Sequence, residues 1–245
     1  MGILEGKVAV ITGAGSGMGK SSVEIFVREG AKVVAADISG AEEKTAAAIG
    51  EGVVPVHCDV TQEADVEAMI ALAVEKFGRV DAVLNVAGIA DGGLVGDLDM
   101  KKYDRILDVD LRGVLLGMKY GIRAMLKSGG GSIINWSSVG GLNGAAGTSI
   151  YSAAKAGVIA ATKVAAVECG ARKIRVNAIC PGFILTEIMG AGGDSMPGIR
   201  EKAALGRAGL PHEVAEVGAF LASDRASFLT GAVIPVDGGW SAKLA

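Results

Sequence analysis

Only three cysteines occur in the 245 residues, Cys58, Cys169 and Cys180, too few and too scattered for a disulfide framework or a metal cluster. They are expected to be small core fillers in a chain that folds in a reducing, cytoplasmic compartment. The two histidines, His57 and His212, stand alone, so no zinc-ligand set is expected. A basic excess is missing too. The 24 Lys and Arg against 27 Asp and Glu leave a formal charge of -3, and the dispersed cations offer no footprint for nucleic acid. Long apolar runs are absent: Val8-Ala-Val-Ile11 stops at once in a glycine-rich stretch, too short for a signal peptide. No window approaches the roughly 18 uncharged apolar residues of a membrane span. Lys20 is followed by Ser21, but the P-loop spacing is absent, which removes support for ATP hydrolysis.

What is present is a chain that is 50% hydrophobic and 21% charged, ample for a continuous core. Short β-branched runs alternate with longer helical patterns from end to end. Strands are expected at Lys7–Thr12, Lys32–Asp37, Val53–Cys58, Asp81–Leu84, Gly131–Trp136, Lys173–Ile179 and Ala232–Val236. Helices are expected at about Met18–Glu29, Gln62–Phe77, Met100–Lys127, Tyr151–Cys169 and Glu213–Leu221. Pro55 places the third strand at a sheet edge or an irregular start. No linker divides the series. The expectation is one α/β domain spanning residues 1–245, a Rossmann fold with a doubly wound, seven-stranded parallel sheet flanked by helices. A barrel is the competing architecture, disfavoured by seven strands instead of eight.

The unusual residues collect where strands end, which is where an open α/β sheet places its ligands. Thr12-Gly-Ala-Gly-Ser-Gly-Met-Gly19 follows the first strand and contains Gly13, Ser16, Gly17, Met18 and Gly19. Its spacing is Gly-x-x-x-Gly-x-Gly. Gly13 permits a tight turn, Gly17 a close approach to a pyrophosphate, and Gly19 close helix–strand packing, with the helix start facing the phosphates. Asp37 ends the second strand, where it either accepts from both hydroxyls of an adenosine ribose or caps the next segment. In the first role it would repel a 2'-phosphate, so NAD is favoured over NADP. Asp59 either meets an adenine amino group, with Val60 on a ring face, or caps the helix that follows. Asn85-Val-Ala-Gly88 brings Asn85, Ala87 and Gly88 to the fourth strand end.

Tyr151-Ser-Ala-Ala-Lys155 is the decisive spacing. Positions i and i+4 share one helix face, so a phenol and an ammonium can share a pocket, and an adjacent cation favours an ionised phenol. Ser138, at the end of the preceding strand, is placed to hydrogen-bond a substrate oxygen.

Together these pieces resemble the classical short-chain dehydrogenase/reductase family over essentially the whole chain. The matching residues are the glycine fingerprint, Asp59-Val60, Asn85-Val-Ala-Gly88, Ser138, Tyr151-x-x-x-Lys155, Pro181-Gly182 and the ending Asp237-Gly-Gly239. The resemblance implies hydride transfer between a nicotinamide and an alcohol or carbonyl. Tyr151 would exchange the proton, Ser138 would hold and polarise the substrate oxygen, and Lys155 would hold the nicotinamide ribose. The Ile184 backbone and the Thr186 hydroxyl would orient the carboxamide. A homotetramer or homodimer is implied as well. Two positions depart from the family. Val86 stands where it has a second asparagine, and Asp110 where it commonly has an asparagine that completes a relay with the lysine.

Residues 183–210 mix apolar and small side chains and are expected to form a substrate-binding lid, a variable surface loop being the alternative. No arginine cluster advertises an anionic substrate, so a neutral secondary alcohol or ketone is expected, with no nucleic acid and no membrane partner. Two other functions stay open: a 3-oxoacyl-carrier-protein reductase, and a non-catalytic nucleotide-binding sensor or assembly protein.

Overall fold

The computed structural model describes residues 2–186 and 198–243. Its seven strands are β1 (Val8–Thr12), β2 (Lys32–Asp37), β3 (Val53–His57), β4 (Ala82–Asn85), β5 (Gly131–Trp136), β6 (Ile174–Pro181) and β7 (Val233–Val236). They form one sheet in the order β3-β2-β1-β4-β5-β6-β7, and every pairing is parallel. The helices are α1 (Gly17–Arg28), α2 (Ala41–Ile49), α3 (Glu63–Phe77), α4 (Met100–Leu107), α5 (Gly113–Ser128), α6 (Ser149–Cys169), α7 (Ile199–Lys202) and α8 (Pro211–Ala222).

Central strands read as unbroken apolar runs because both faces are covered. Val8 and Val10, Val34 and Ala36, Val83 and Ile133 point to one side, where α3, α5 and α6 supply Met69, Ile70, Met125 and Val158. Ala9 and Ile11, Val33 and Ala35, Leu84 and Ile134 point to the other, against Val23 and Phe26 of α1 and Val214 and Ala219 of α8. Phe26 is wholly buried, a contribution of about 1.5–3 kcal/mol relative to an exposed ring. Pro55 sits on the edge strand β3 opposite Ala35, as its missing N–H requires.

Three readings of the sequence are corrected. The helix α2 was not expected; its buried residues are Glu42, Thr45 and Ala46, so no stripe of large apolar side chains announces it. The stretch expected as one helix from Met100 to Lys127 is interrupted by a π-helical turn over Asp108–Arg112, which lies between α4 and α5. Helix α6 begins at Ser149, two residues earlier than expected. With its extension to Arg172 it is long and apolar enough to cross a membrane by those two measures, although Lys155, Lys163 and Glu168 interrupt any uncharged run. In the fold, Ile150, Ala154, Val158, Thr162, Ala165 and Cys169 form its buried face.

All three cysteines are buried and unpaired. Of the lid expected at 183–210, residues 187–197, which include Ile188, Met189 and Met196, lie outside the described residues. The ends of the segment are joined, since Gly209 donates to the Phe183 carbonyl and accepts from Leu185.

Candidate active site

Strand order reverses between β1 and β4, and a crevice opens outside their carboxyl ends at such a switch point. A cavity of about 620 Å³ is found there. Thr12 ties the two strand ends together, its hydroxyl accepting from the amides of Val86 (3.0 Å) and Ala87 (3.1 Å). Gly13 has φ of 69°, a conformation that favours glycine, and the Ala87 backbone passes close by. A side chain at Gly19 would overlap the Gly13 carbonyl. Helix α1 therefore starts directly beneath the loop. Its N-cap Ser16 makes no side-chain cap bond and its first turn carries no acidic residue, which leaves a helix N-terminus suited to an anion.

The walls of this cavity include Gly13, Ser16, Gly17, Met18, Gly19, Asp37, Asp59, Val60, Ala87, Gly88 and Thr186 of the residues expected from sequence. Asp37 accepts from Gly15 and Ser39 amides, each at 2.9 Å, so the carboxylate is fixed at the β2 end with lone pairs to spare. Asp59 lies just beyond β3 and accepts from both the amide and the hydroxyl of Thr61. Thr186 reaches across to Gly17.

Asn85, Pro181, Gly182 and Ile184 are not on the wall, nor are Ser138, Tyr151, Lys155 and Asp110. Asn85 is buried beneath it and donates to Asn135 (2.8 Å), which in turn donates to Thr162 on α6 (2.9 Å). Pro181 ends β6, Gly182 packs against Asp237, and Ile184 bridges to Gly209. Wall residues that the sequence reading missed are Ile38, Ser39, Cys58, Thr61, Val86, Ile89, Arg105, Asp108 and Val109. The first six lie at or just beyond strand ends; Arg105 comes from α4, and Asp108 and Val109 from the π-turn. The Cys58 thiol is pushed up to about 12 by burial and by Asp65, Asp59 and Asp37 nearby, so it is an inert wall.

Tyr151, Lys155 and Ser138 do not line this cavity but cluster behind it, with Lys155 beside the wall residue Gly88. A Cβ added to Gly88 would lie 3.2 Å from Lys155 Nζ and 3.3 Å from Asp110 Oδ1. Lys155 is almost fully buried; it donates to the Trp136 carbonyl (3.2 Å) and lies 5.6 Å from the centre of the Tyr151 ring. One added to Gly140 would lie 3.3 Å from the Tyr151 ring and 3.4 Å from Ser138 Oγ, so phenol and hydroxyl flank the same glycine. Ser138 accepts from the Gly140 amide (3.0 Å), which leaves its own proton to donate. Ser137 donates to the Lys155 carbonyl (2.8 Å) and clamps α6 to the end of β5.

Asp110 is fully buried in the π-turn. One carboxylate oxygen accepts from the Ile89 amide (2.8 Å); the other lies 3.3 Å from Lys155 Nζ and has no hydrogen bond. A mid-helix π-turn is a recurrent way of turning a side chain into a site.

The arrangement combines an anion-ready helix start, a fixed carboxylate on the cavity wall, and a phenol beside a buried cation. The family described as enoyl-(acyl carrier protein) reductase matches residues 13–241. A 3-oxoacyl-(acyl-carrier-protein) reductase of Thermotoga maritima is 41% identical, covering 96% of this chain and 98% of its own. A meso-2,3-butanediol dehydrogenase of Serratia marcescens is 43% identical over 98% of this chain and 96% of the relative. A 3-alpha-(or 20-beta)-hydroxysteroid dehydrogenase of Mycobacterium tuberculosis is 44% identical over 100% and 93%.

Proposed function

Because this chain belongs to the short-chain dehydrogenase/reductase family and is an alcohol dehydrogenase or ketone reductase, we propose that it uses NAD(H), with Tyr151 as proton carrier, on a neutral secondary alcohol or the matching ketone. The observation that carries this reading is the cluster of Tyr151, Ser138 and Lys155, whose ammonium lies beside Gly88 on the wall of the switch-point cavity.

When bound, the nicotinamide gives hydride to a carbonyl carbon or takes it from an alcohol carbon. The α1 N-terminus and the amides of the Gly13–Gly19 loop hold the phosphates. Asp37 accepts the adenosine ribose hydroxyls. Its charge opposes a 2'-phosphate, and the one cation on the described wall, Arg105, comes from α4 and not from the loop after β2. Asp59 and Val60 border the adenine end.

At the other end Ser138 donates to the substrate oxygen. Tyr151 takes the alcohol proton as a phenolate in oxidation and returns it as a phenol in reduction. Charge developing on that oxygen is met by two fixed donors. No arginine cluster lies at this end among the described residues, which supports a neutral substrate. Assembly into a homotetramer in the cytoplasm belongs to the same reading: Leu115 and Leu126 on α5 and Val164 and Val167 on α6 are exposed apolar side chains on neighbouring helices.

An absorbance screen with NADH and NADPH against cyclic and open-chain ketones and alcohols tests the proposal. Turnover with NADH on several neutral ketones is expected. A strict NADPH requirement with turnover only on acyl-carrier thioesters would replace it by the acyl-carrier reductase reading, which the Thermotoga maritima relative supports.

A further inference from the structure

The buried carboxylate beside the lysine changes the charge of the reaction centre. Asp110 is 0% exposed and Lys155 4% exposed, and their charged atoms are 3.3 Å apart. The Ile89 amide donates to one oxygen of Asp110, and among the described residues the second oxygen has no hydrogen-bond partner and only the Lys155 ammonium as an ion-pair partner. The ammonium is otherwise held by the neutral Trp136 carbonyl. The remaining groups facing this corner are few. Cys180 on β6 lies beside Ser137 and Ser138, and burial pushes its thiol up, so it stays neutral. Beyond it Asp237 is held by the amides of Gly239 and Ser241. Asp108, two residues before Asp110, faces Arg112 at 3.7 Å.

We propose that Asp110 is a positioning residue whose charge cancels that of Lys155, so that Tyr151 keeps its proton at neutral pH and alcohol oxidation requires alkaline solution. The inference rests on the proposed role of Tyr151. An ammonium without a counterion would favour phenolate strongly in a buried site; one paired to a carboxylate at 3.3 Å presents a dipole with a weaker effect. Phenol is the form that donates in ketone reduction, so the pair biases the neutral-pH enzyme toward reduction. In oxidation the phenolate oxygen takes the alcohol proton and later releases it to water; in reduction that proton moves in reverse, and water restores the phenol.

The test has a readout that needs no cofactor. Tyrosinate absorbance is titrated in the cofactor-free wild type, in Asp110→Asn and in Asp110→Ser, each against its Tyr151→Phe counterpart. Only three tyrosines are present, and burial together with Glu63 pushes Tyr120 upward, away from the signal. Both neutral variants are expected to move the Tyr151 component down by about one pH unit or more, the effect of one unit charge within about 12 Å at an effective dielectric constant of about 20. The acid limb of kcat/KM for alcohol oxidation is expected to move down with it. An unchanged or raised midpoint in either folded variant overturns the proposal. If neither variant folds, the wild type decides: tyrosinate that appears below neutral pH overturns it, and appearance only in alkaline solution supports it. A shifted titration in a protein that turns over no alcohol or ketone would sink the proposed function and leave this inference standing.

Discussion

Replacing Asp37 by asparagine removes one charge from the cofactor cavity while keeping the shape and an acceptor for one of the Gly15 and Ser39 amides, which now donate to separate carboxylate oxygens at 2.9 Å. Two terms change. Hydrogen bonds from ribose hydroxyls to a charged acceptor contribute about 1.5–3 kcal/mol each, roughly twice the neutral value, so NADH loses about 1 kcal/mol or more. A 2'-phosphate within about 4–8 Å of the carboxylate is repelled by roughly 2–4 kcal/mol at an effective dielectric constant of about 20. Half-burial of Asp37 and salt screening reduce that to about 1–2 kcal/mol. The sum, about 3 kcal/mol, is a hundredfold change in the ratio of kcat/KM for NADH to that for NADPH. Initial rates on one ketone at varied cofactor measure it. A ratio that moves by less than about threefold would show that Asp37 does not face the ribose, whatever its place on the cavity wall.

Gly19→Val should abolish cofactor binding and destabilise the fold by about 1–3 kcal/mol or more, because the side chain meets the Gly13 carbonyl; urea unfolding and fluorescence quenching by NADH read the two effects. Glu213 is held down to about 2, first by hydrogen bonds from Arg207 and next by the Leu210 amide, against an ordinary value of 4.5. Its stabilisation is therefore complete above 4.5 and disappears as pH falls through that value toward 2. The stability gap between wild type and Glu213→Gln should be flat at neutral pH and close in acid; a gap that widens in acid contradicts the cap. Thr162→Val breaks the Asn85–Asn135–Thr162 chain and leaves Asn135 short of an acceptor, an expected loss of about 1–3 kcal/mol by thermal unfolding with activity retained in the folded fraction.

The sheet was legible because its strands are covered on both faces. Buried runs such as Val8–Thr12 and Gly131–Trp136 need no partner information to be recognised. The glycine loop and the Tyr151-to-Lys155 spacing were legible because each depends on local geometry: a helix start in one case, a helix face in the other. The missed features share a cause. Helix α2 buries Glu42 and Thr45 through contacts made elsewhere, Thr45 donating to the Ala14 carbonyl across the glycine loop. The π-turn at Asp108–Arg112 inserts into a pattern that remains apolar on either side, so periodicity reads through it. That turn brings Asp108 and Val109 to the cavity and Asp110 to Lys155. Asn85 was placed at the right strand end. Its side chain turns under the sheet toward α5, because Gly117 leaves the space for it there.

The chemistry rests on a proton carried by one phenol oxygen. Single-turnover oxidation and reduction by Tyr151→Phe, with NADH binding followed in parallel, tests this most directly. The rate should fall by about 10²–10⁴-fold while cofactor affinity stays within a few-fold of wild type. Wild-type turnover by the phenylalanine variant would contradict the account.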